Sequence, residues 1–356
     1  MKQVQKTSQI SSATIDLITD ELLNLLKDRP REISTMRFGL DGKKPRVLGK
    51  IGEEFSITRE RVRQIESDSF KKLQVADKSK EFDWIIDRAV EIIEYLGGFC
   101  EKRTLKKKLK SDVTGKERNK LMLILNSSER LQFKKGKLSL KGFWFMKKEK
   151  VDSDVVKIHN FIVKYIKERK EPLSFEEIFE YINESQWKEF FEGEKGTKRL
   201  LMILSMSCVA GQNILGEWGL RNWKIISQRG AREKAYLVLR KYEKPLHFRE
   251  ITQLINKHWI EKKALPQTVH NELIKDGRFV LIGRGIYGLN VWGYPEGTVK
   301  DIIIAYLQEQ DGPIKKETII EYVLSKKQVK KTTVVVTLAD KVAFDKDQSG
   351  MFTVRK

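Results

Sequence analysis

From residue 81 to the end of the chain one pattern recurs at a period of roughly 60 to 80 residues, which limits the fold more than any other feature. Each copy opens with an amphipathic helical stretch. A short helix and a third helix rich in Lys or Thr follow, and the copy closes on a two-stranded hairpin ending at an aromatic residue. In the first copy these parts are Phe82 to Gly98, Leu105 to Leu109, Arg118 to Leu125, and a hairpin from Leu131 to Leu140 closing near Trp144. The second copy runs from Val155 to Ile226 and closes on Trp223, the third from Ala231 to Trp292, and the last from Thr298 to Val354. Repeats of this length each bury one small core, so the 356 residues read as a string of small domains.

Helix, helix, helix, hairpin is the winged-helix order, and Arg278 to Leu289 is its clearest wing. The third copy carries Lys244-Pro245-Leu246-His247-Phe248-Arg249-Glu250-Ile251 and Thr268-Val269-His270-Asn271-Glu272-Leu273. Phe279 and Gly285-Ile286-Tyr287-Gly288-Leu289 follow. With these residues it resembles the HARE-HTH winged-helix family, which occurs in the delta subunit of some bacterial RNA polymerases and in chromatin and restriction proteins. The predicted fold class is mainly α with small β-hairpin wings: an N-terminal helix-turn-helix domain (1–77) followed by tandem winged helices at 81–148, 152–227, 230–293 (HARE-HTH-like) and 296–356.

The N-terminal part has a different logic. Leu48, Ile51 and Phe55 recur at helical spacing, giving a short helix one apolar face. Ser56 and Ile57 make a turn, Thr58 is placed to cap the next helix, and Val62, Ile65 and Leu73 pack that helix back on the first. Two short helices joined by a tight turn form a helix-turn-helix, whose second helix sends N-terminal side chains to base edges in the major groove. The solvated alternative is an amphipathic helix with a salt-bridged outer face.

The stretch Met36-Arg37-Phe38-Gly39-Leu40-Asp41, with Val47 to Leu73 and above all Ile57-Thr58-Arg59-Glu60-Arg61-Val62-Arg63-Gln64-Ile65-Glu66, resembles region 4 of the sigma-70 family of bacterial RNA polymerase factors. The resemblance spans Leu22 to Leu73 and implies contact with a promoter −35-like element. It places Arg59, Glu60 and Gln64 at base-reading positions. The chemistry fits: Arg pairs bidentately with guanine, Glu accepts from cytosine N4, and Gln reaches adenine or thymine edges. Arg61, Arg63 and Lys71 are expected on phosphates, with Thr58 near the backbone. Where the family opens the first helix with Thr and two acidic residues, this chain has Val47, Gly49 and Lys50, which favours DNA over the family's polymerase contacts. No counterpart of the family's melting region, an aromatic run in a basic helix, is found.

A net charge of +21 favours a polyanion partner, nucleic acid before anionic membrane. No apolar run approaches the ~18 residues of a spanning helix, and the polar N-terminus is unlike a signal core. Charge is uneven: residues 81–150 carry 18 basic and 10 acidic side chains, 229–295 carry 13 and 6, 296–356 carry 11 and 9, and 151–228 carry 11 and 12. The nearly neutral second copy is therefore the candidate for holding protein. Arg103, Lys106, Lys107, Lys108 and Lys110, with the wing residues Lys134, Lys135 and Lys137, form a possible second DNA patch; the alternative is a solvated helix face.

Other signals are weaker. Gly283-Arg284-Gly285-Ile286-Tyr287-Gly288 fits G-x-G-x-x-G, but Leu289-Asn290-Val291-Trp292 reads as a second strand where a dinucleotide site needs a helix. The glycines are then hairpin glycines. Trp144, Trp223 and Trp292 read as core residues sealing each copy rather than stacking platforms. Cys100 and Cys208 read as small core residues in a reducing compartment, and the four histidines show no zinc spacing. No catalytic constellation is found.

The expectation is a non-enzymatic, sequence-specific DNA-binding transcription regulator without cofactor or metal, cytoplasmic and nucleoid-associated. Its partners are double-stranded promoter-like DNA and, through the resemblance, RNA polymerase core. Three further readings stay open: a delta-like polymerase accessory subunit, a non-specific nucleoid or architectural protein, and a targeting subunit of a restriction system.

Overall fold

The chain is mainly helical with small antiparallel sheets. The computed structural model describes residues 10–109, 115–147, 151–261 and 263–355. These fall into two units, 1–211 and 212–356.

The first unit opens with α1 (Ser12–Asn24), capped by the Ser11 hydroxyl, which accepts from the Thr14 amide at 3.1 Å. Ile15, Ile18, Leu22 and Leu23 give α1 one buried stripe at helical spacing. Helix α2 (Asp28–Phe38) stops at Gly39, whose φ of 63° lies in the left-handed region that glycine adopts without steric cost. Then come α3 (Leu48–Glu54) and α4 (Arg59–Val75). Helix α4 runs through Val75, and α5 (Lys80–Tyr95) begins at Lys80 after a short polar connection. Ser79 caps α5 and is held in turn by Glu21, whose carboxylate accepts from its amide at 2.8 Å and its hydroxyl at 2.6 Å.

Strand β1 (Phe99–Glu101), α6 (Lys102–Lys108), α7 (Gly115–Asn126), β2 (Leu131–Lys134) and β3 (Phe143–Met146) follow. Their sheet has the order β1-β3-β2, with Trp144 opposite both Cys100 and Phe133. The hairpin expected at Leu131 to Leu140 is thus corrected: its second strand is Phe143–Met146, and Leu138 lies 99% exposed in the connection. The apolar Phe143, Trp144 and Phe145 are fully wanted by the core, whereas Lys135, Lys137 and Leu138 have nothing to bury against.

The unit continues with α8 (Val151–Arg169), α9 (Phe175–Asn183), a 3-10 turn at Lys188–Phe191, α10 (Gly196–Met206) and β4 (Ala210–Gln212). The Leu131–Phe145 connection is pinned here: the Lys141 amide donates to Met206 O and the Cys208 amide to Ser139 O, each at 2.9 Å. Helix α1 packs along α7, with Lys120 Nζ 2.7 Å from Asp16, and Gln74 Nε2 donates to Asn126 O at 3.2 Å.

In the second unit β5 (Trp218–Leu220) and α11 (Lys224–Ser227) precede α12 (Ala231–Tyr242), β6 (Leu246–His247), α13 (Phe248–His258), α14 (Pro266–Lys275), β7 (Phe279–Gly283) and β8 (Ile286–Leu289). The sheet order is β6-β8-β7, the topology seen at residues 80–146. Its core gathers Val238, Leu246, Ile251, Ile255, Val269 and Leu289. The second strand expected at Leu289 to Trp292 is also corrected. Strand β8 ends at Leu289, and Asn290–Trp292 is a single 3-10 turn, still not the helix a dinucleotide site requires. The chain ends with α15 (Val299–Gln308), α16 (Lys316–Lys326), α17 (Lys331–Leu338), β9 (Phe344–Lys346) and β10 (Phe352–Val354), with Ile314 bridged to Phe352 where a first strand would sit.

One smaller expectation changes. Cys208 is exposed while Cys100 is buried, and burial pushes the Cys100 thiol up to about 12. Trp144 is buried in a strand, Trp292 packs half-buried against the core of its copy as expected, and the half-buried Trp223 lies against Gly219.

Candidate nucleic-acid interface

The helix-turn-helix is held by a small core: Ile33 of α2, Ile51 of α3 and Val62 of α4 are buried, with Met36, Leu48, Phe55, Ile57 and Ile65 against them. The turn is tight enough to dictate residue types. The Ile57 amide donates to Gly52 O at 2.9 Å, and a Cβ on Gly52 would meet Ile57 O at 2.6 Å. Ser56 takes a φ of 54°, the left-handed conformation that reverses the chain. Thr58 then caps α4, its hydroxyl accepting from the Arg61 amide at 3.1 Å.

With Val62 turned inward, the first turns of α4 present Arg59, Glu60, Arg61, Arg63 and Gln64 to solvent, beside the exposed Thr58. The exposed side chains differ in what they already hold. Arg63 grips Glu60 through its Nε and Nη2, with the shortest contact at 2.6 Å. That pair holds the Glu60 carboxyl below the usual carboxylate range and raises Arg63 further. Arg61 Nη1 donates to Gln64 Oε1 at 3.1 Å. Arg59 makes no hydrogen bond or ion pair among the described residues. Lys71 lies two turns further on, 3.5 Å from Asp68.

Side chains that the motif reading passed over fix this helix in place. Arg37 of α2 donates to Glu66 at 2.9 Å and to Arg46 O at 3.0 Å, and Arg46 pairs with Glu54. Arg29 donates to Phe55 O at 3.1 Å. Their sequence signal was only charge between apolar positions, which does not tell an anchor from a solvated residue.

The second basic patch is spread over two recesses. Arg103, Lys106 and Lys135 line a cavity between α6, α7 and the β2–β3 connection. Lys107 and Lys108 line a different groove, beside Tyr95 of α5. Lys134 pairs with Asp152 at 2.6 Å, and Lys137 is exposed in the connection. Lys110 lies outside the described residues. The division follows from helix geometry: residues 103 and 106 share one face of α6, and residues 104, 107 and 108 share the other. Lys102, which the sequence reading left out, also lines the cavity; its place directly before Arg103 was the available signal.

Residues 22–75 match sigma-70, region 4. Over that region the chain is 40% identical across 67 residues to RNA polymerase sigma factor SigA of Clostridium acetobutylicum, covering 19% of this chain and 18% of that protein. It is 44% identical across 61 residues to the SigA protein of Lactococcus lactis subsp. cremoris, 17% of each chain. It is 38% identical across 78 residues to that of Listeria monocytogenes, 21% of each. The chain spans about a fifth of the length of these relatives. Among the described residues no helix is long and apolar enough to cross a membrane, and no group of His, Cys, Asp or Glu is arranged to hold a metal ion.

Proposed function

We propose that the chain is a non-enzymatic DNA-binding regulator of transcription whose region 4 segment reads a −35-like element through α4. The observation that carries this is the outward face of α4. In the segment that matches sigma-70 region 4, Arg59, Glu60 and Gln64 stand exposed on the first two turns of a capped helix. A helix placed this way in the major groove offers Arg59 to guanine, Glu60 to cytosine N4 and Gln64 to adenine or thymine. Arg61, Arg63, Lys71 and Thr58 face the phosphates on either side. The Glu60–Arg63 pair is solvent-screened and readily exchanged for DNA partners. Duplex DNA is the principal partner, and the setting is the nucleoid in the cytoplasm.

The parts that follow are winged-helix modules in this reading. The order α5-β1-α6-α7-β2-β3 recurs as α12-β6-α13-α14-β7-β8, and α15 to β10 follows it with a bridge in place of the first strand. The third module is HARE-HTH-like. Third helices differ in availability: α7 is covered by α1 and α2, whereas α14 leaves Gln267, Thr268, Asn271 and Lys275 exposed.

Selection of bound sequences from a random duplex pool tests the reading. A −35-like hexamer is the expected product, and recovery of no preferred sequence overturns it in favour of an architectural protein. A second reading, a polymerase accessory subunit, draws on the sigma-factor relatives. Co-purification with RNA polymerase from nuclease-treated lysate is its expected signature, and absence from that fraction removes it.

A further inference from the structure

The cavity in the 80–146 module joins an apolar floor to a cationic rim. Its volume is about 580 Å³, within the roughly 300–1,000 Å³ of pockets that enclose a small ligand. Leu121, Leu125 and Trp144, all buried, form the floor. Phe133 forms a wall, its ring 5.1 Å from that of Trp144, with Lys102 Nζ 5.9 Å from the Phe133 centroid. Gly142 lies beside Phe133 because a Cβ there would meet the ring at 2.7 Å.

Four cations line the cavity: Lys102, Arg103, Lys106 and Lys135. The one carboxylate in the lining, Glu101, is already used to cap α6, accepting from the Thr104 amide at 2.9 Å and from its hydroxyl at 3.2 Å. With the exposed Arg103 and Lys135 on its rim, the cavity suits a ligand that is flat and apolar in the middle and anionic at its edge. Among the described residues, no lining side chain has a buried polar atom left without a partner. That combination, aromatic faces with cations along a backbone path, is how proteins hold unpaired nucleotides without sequence preference.

We propose that this cavity holds an unpaired nucleotide of single-stranded DNA, the base on Phe133 and the phosphates on Arg103 and Lys135. An acidic peptide offers the same charge but no flat anion-edged group. The cavity and α4 belong to one unit, joined by the α1–α7 packing and the Gln74–Asn126 bond. The inference rests on the function proposed above only in taking DNA as the partner.

The test uses the full chain and a fluorescein-labelled oligothymidylate, followed by anisotropy. Arg103→Glu with Lys135→Glu, both exposed and outside the core, is expected to weaken binding about tenfold or more. Lys316→Glu with Lys331→Glu makes the same charge change elsewhere and is expected to have a far smaller effect. Phe133→Leu is expected to weaken binding by about fivefold. Photocrosslinking with a 5-iodouracil oligonucleotide is expected to mark Phe133 or Trp144. Equal losses in the two charge variants, crosslinks confined to α4 or α14, or capture of an acidic aromatic peptide without oligothymidylate overturns the proposal. Affinity for the duplex −35-like hexamer, measured alongside, separates the two readings. Its absence with oligothymidylate binding intact unseats the promoter reading alone; the reverse unseats the cavity alone.

Discussion

Arg59 and Glu60 are neighbours on the first turn of α4, yet Glu60 is hydrogen-bonded by Arg63 while Arg59 makes no hydrogen bond or ion pair among the described residues. Arg59→Ala should therefore remove a base contact without disturbing the helix. The expected loss is roughly 1–3 kcal/mol confined to one base position, read by comparing affinities across single-substituted sites. Glu60→Ala removes the acceptor for cytosine N4 and also releases Arg63 toward phosphate. Discrimination should relax at one base pair while the dependence of log K on log salt steepens by about one phosphate contact. Because Arg63 holds the Glu60 carboxyl below its usual range, the charged form persists until pH falls through that lowered value. Discrimination by Glu60 should thus stay flat between pH ~6 and ~8. The cysteines give a test of the fold at the same scale. Cys208 should react with iodoacetamide in the native protein, and Cys100, buried and with its thiol pushed up to about 12, only after unfolding.

Among the elements, the α3–turn–α4 unit has two glycines with opposite expectations. Gly52→Ala drives a Cβ to 2.6 Å from Ile57 O and should cost about 1–3 kcal/mol of stability along with DNA affinity. Gly49→Ala meets nothing within 4 Å and should stabilise α3 by roughly 1 kcal/mol. Thermal melting of both variants checks the pair. The turn itself was readable from the sequence: Leu48, Ile51, Phe55 and Val62 carry the periodicity, and Thr58 is the cap it was expected to be. The hairpin after α7 was misplaced because Leu131 to Leu140 alternates apolar and polar residues as a strand pair would. Only competition for the core shows that Phe143–Met146 is the better partner. The basic run at Lys106, Lys107 and Lys108 was legible as charge. Its division between two faces was not, because that depends on which neighbours α6 meets.

At the scale of the molecule, α1 decides what the first unit can do. Ile15, Ile18 and Leu22 are buried where α1 packs on α7, so the region 4 segment is built onto the module that follows it. Ile18→Ala should cost about 2–5 kcal/mol, seen as earlier melting of a fragment spanning 1–211. A fragment ending at residue 77 should lose helix content by circular dichroism, since it leaves that apolar stripe in water. The charge of +21 predicts that binding to any duplex falls steeply with salt, beneath whatever sequence preference α4 adds.

Local information sufficed for the helix-turn-helix, the identity of its outward residues and the overall charge, because capping, periodicity and tight turns involve residues close in the chain. Tertiary structure alone decided that α7 is covered, that Arg37 and Arg46 are anchors, and that Arg103, Lys106 and Lys135 surround an apolar cavity. Those outcomes depend on which apolar faces meet across long sequence separations, and many alternative partners satisfy the same local pattern.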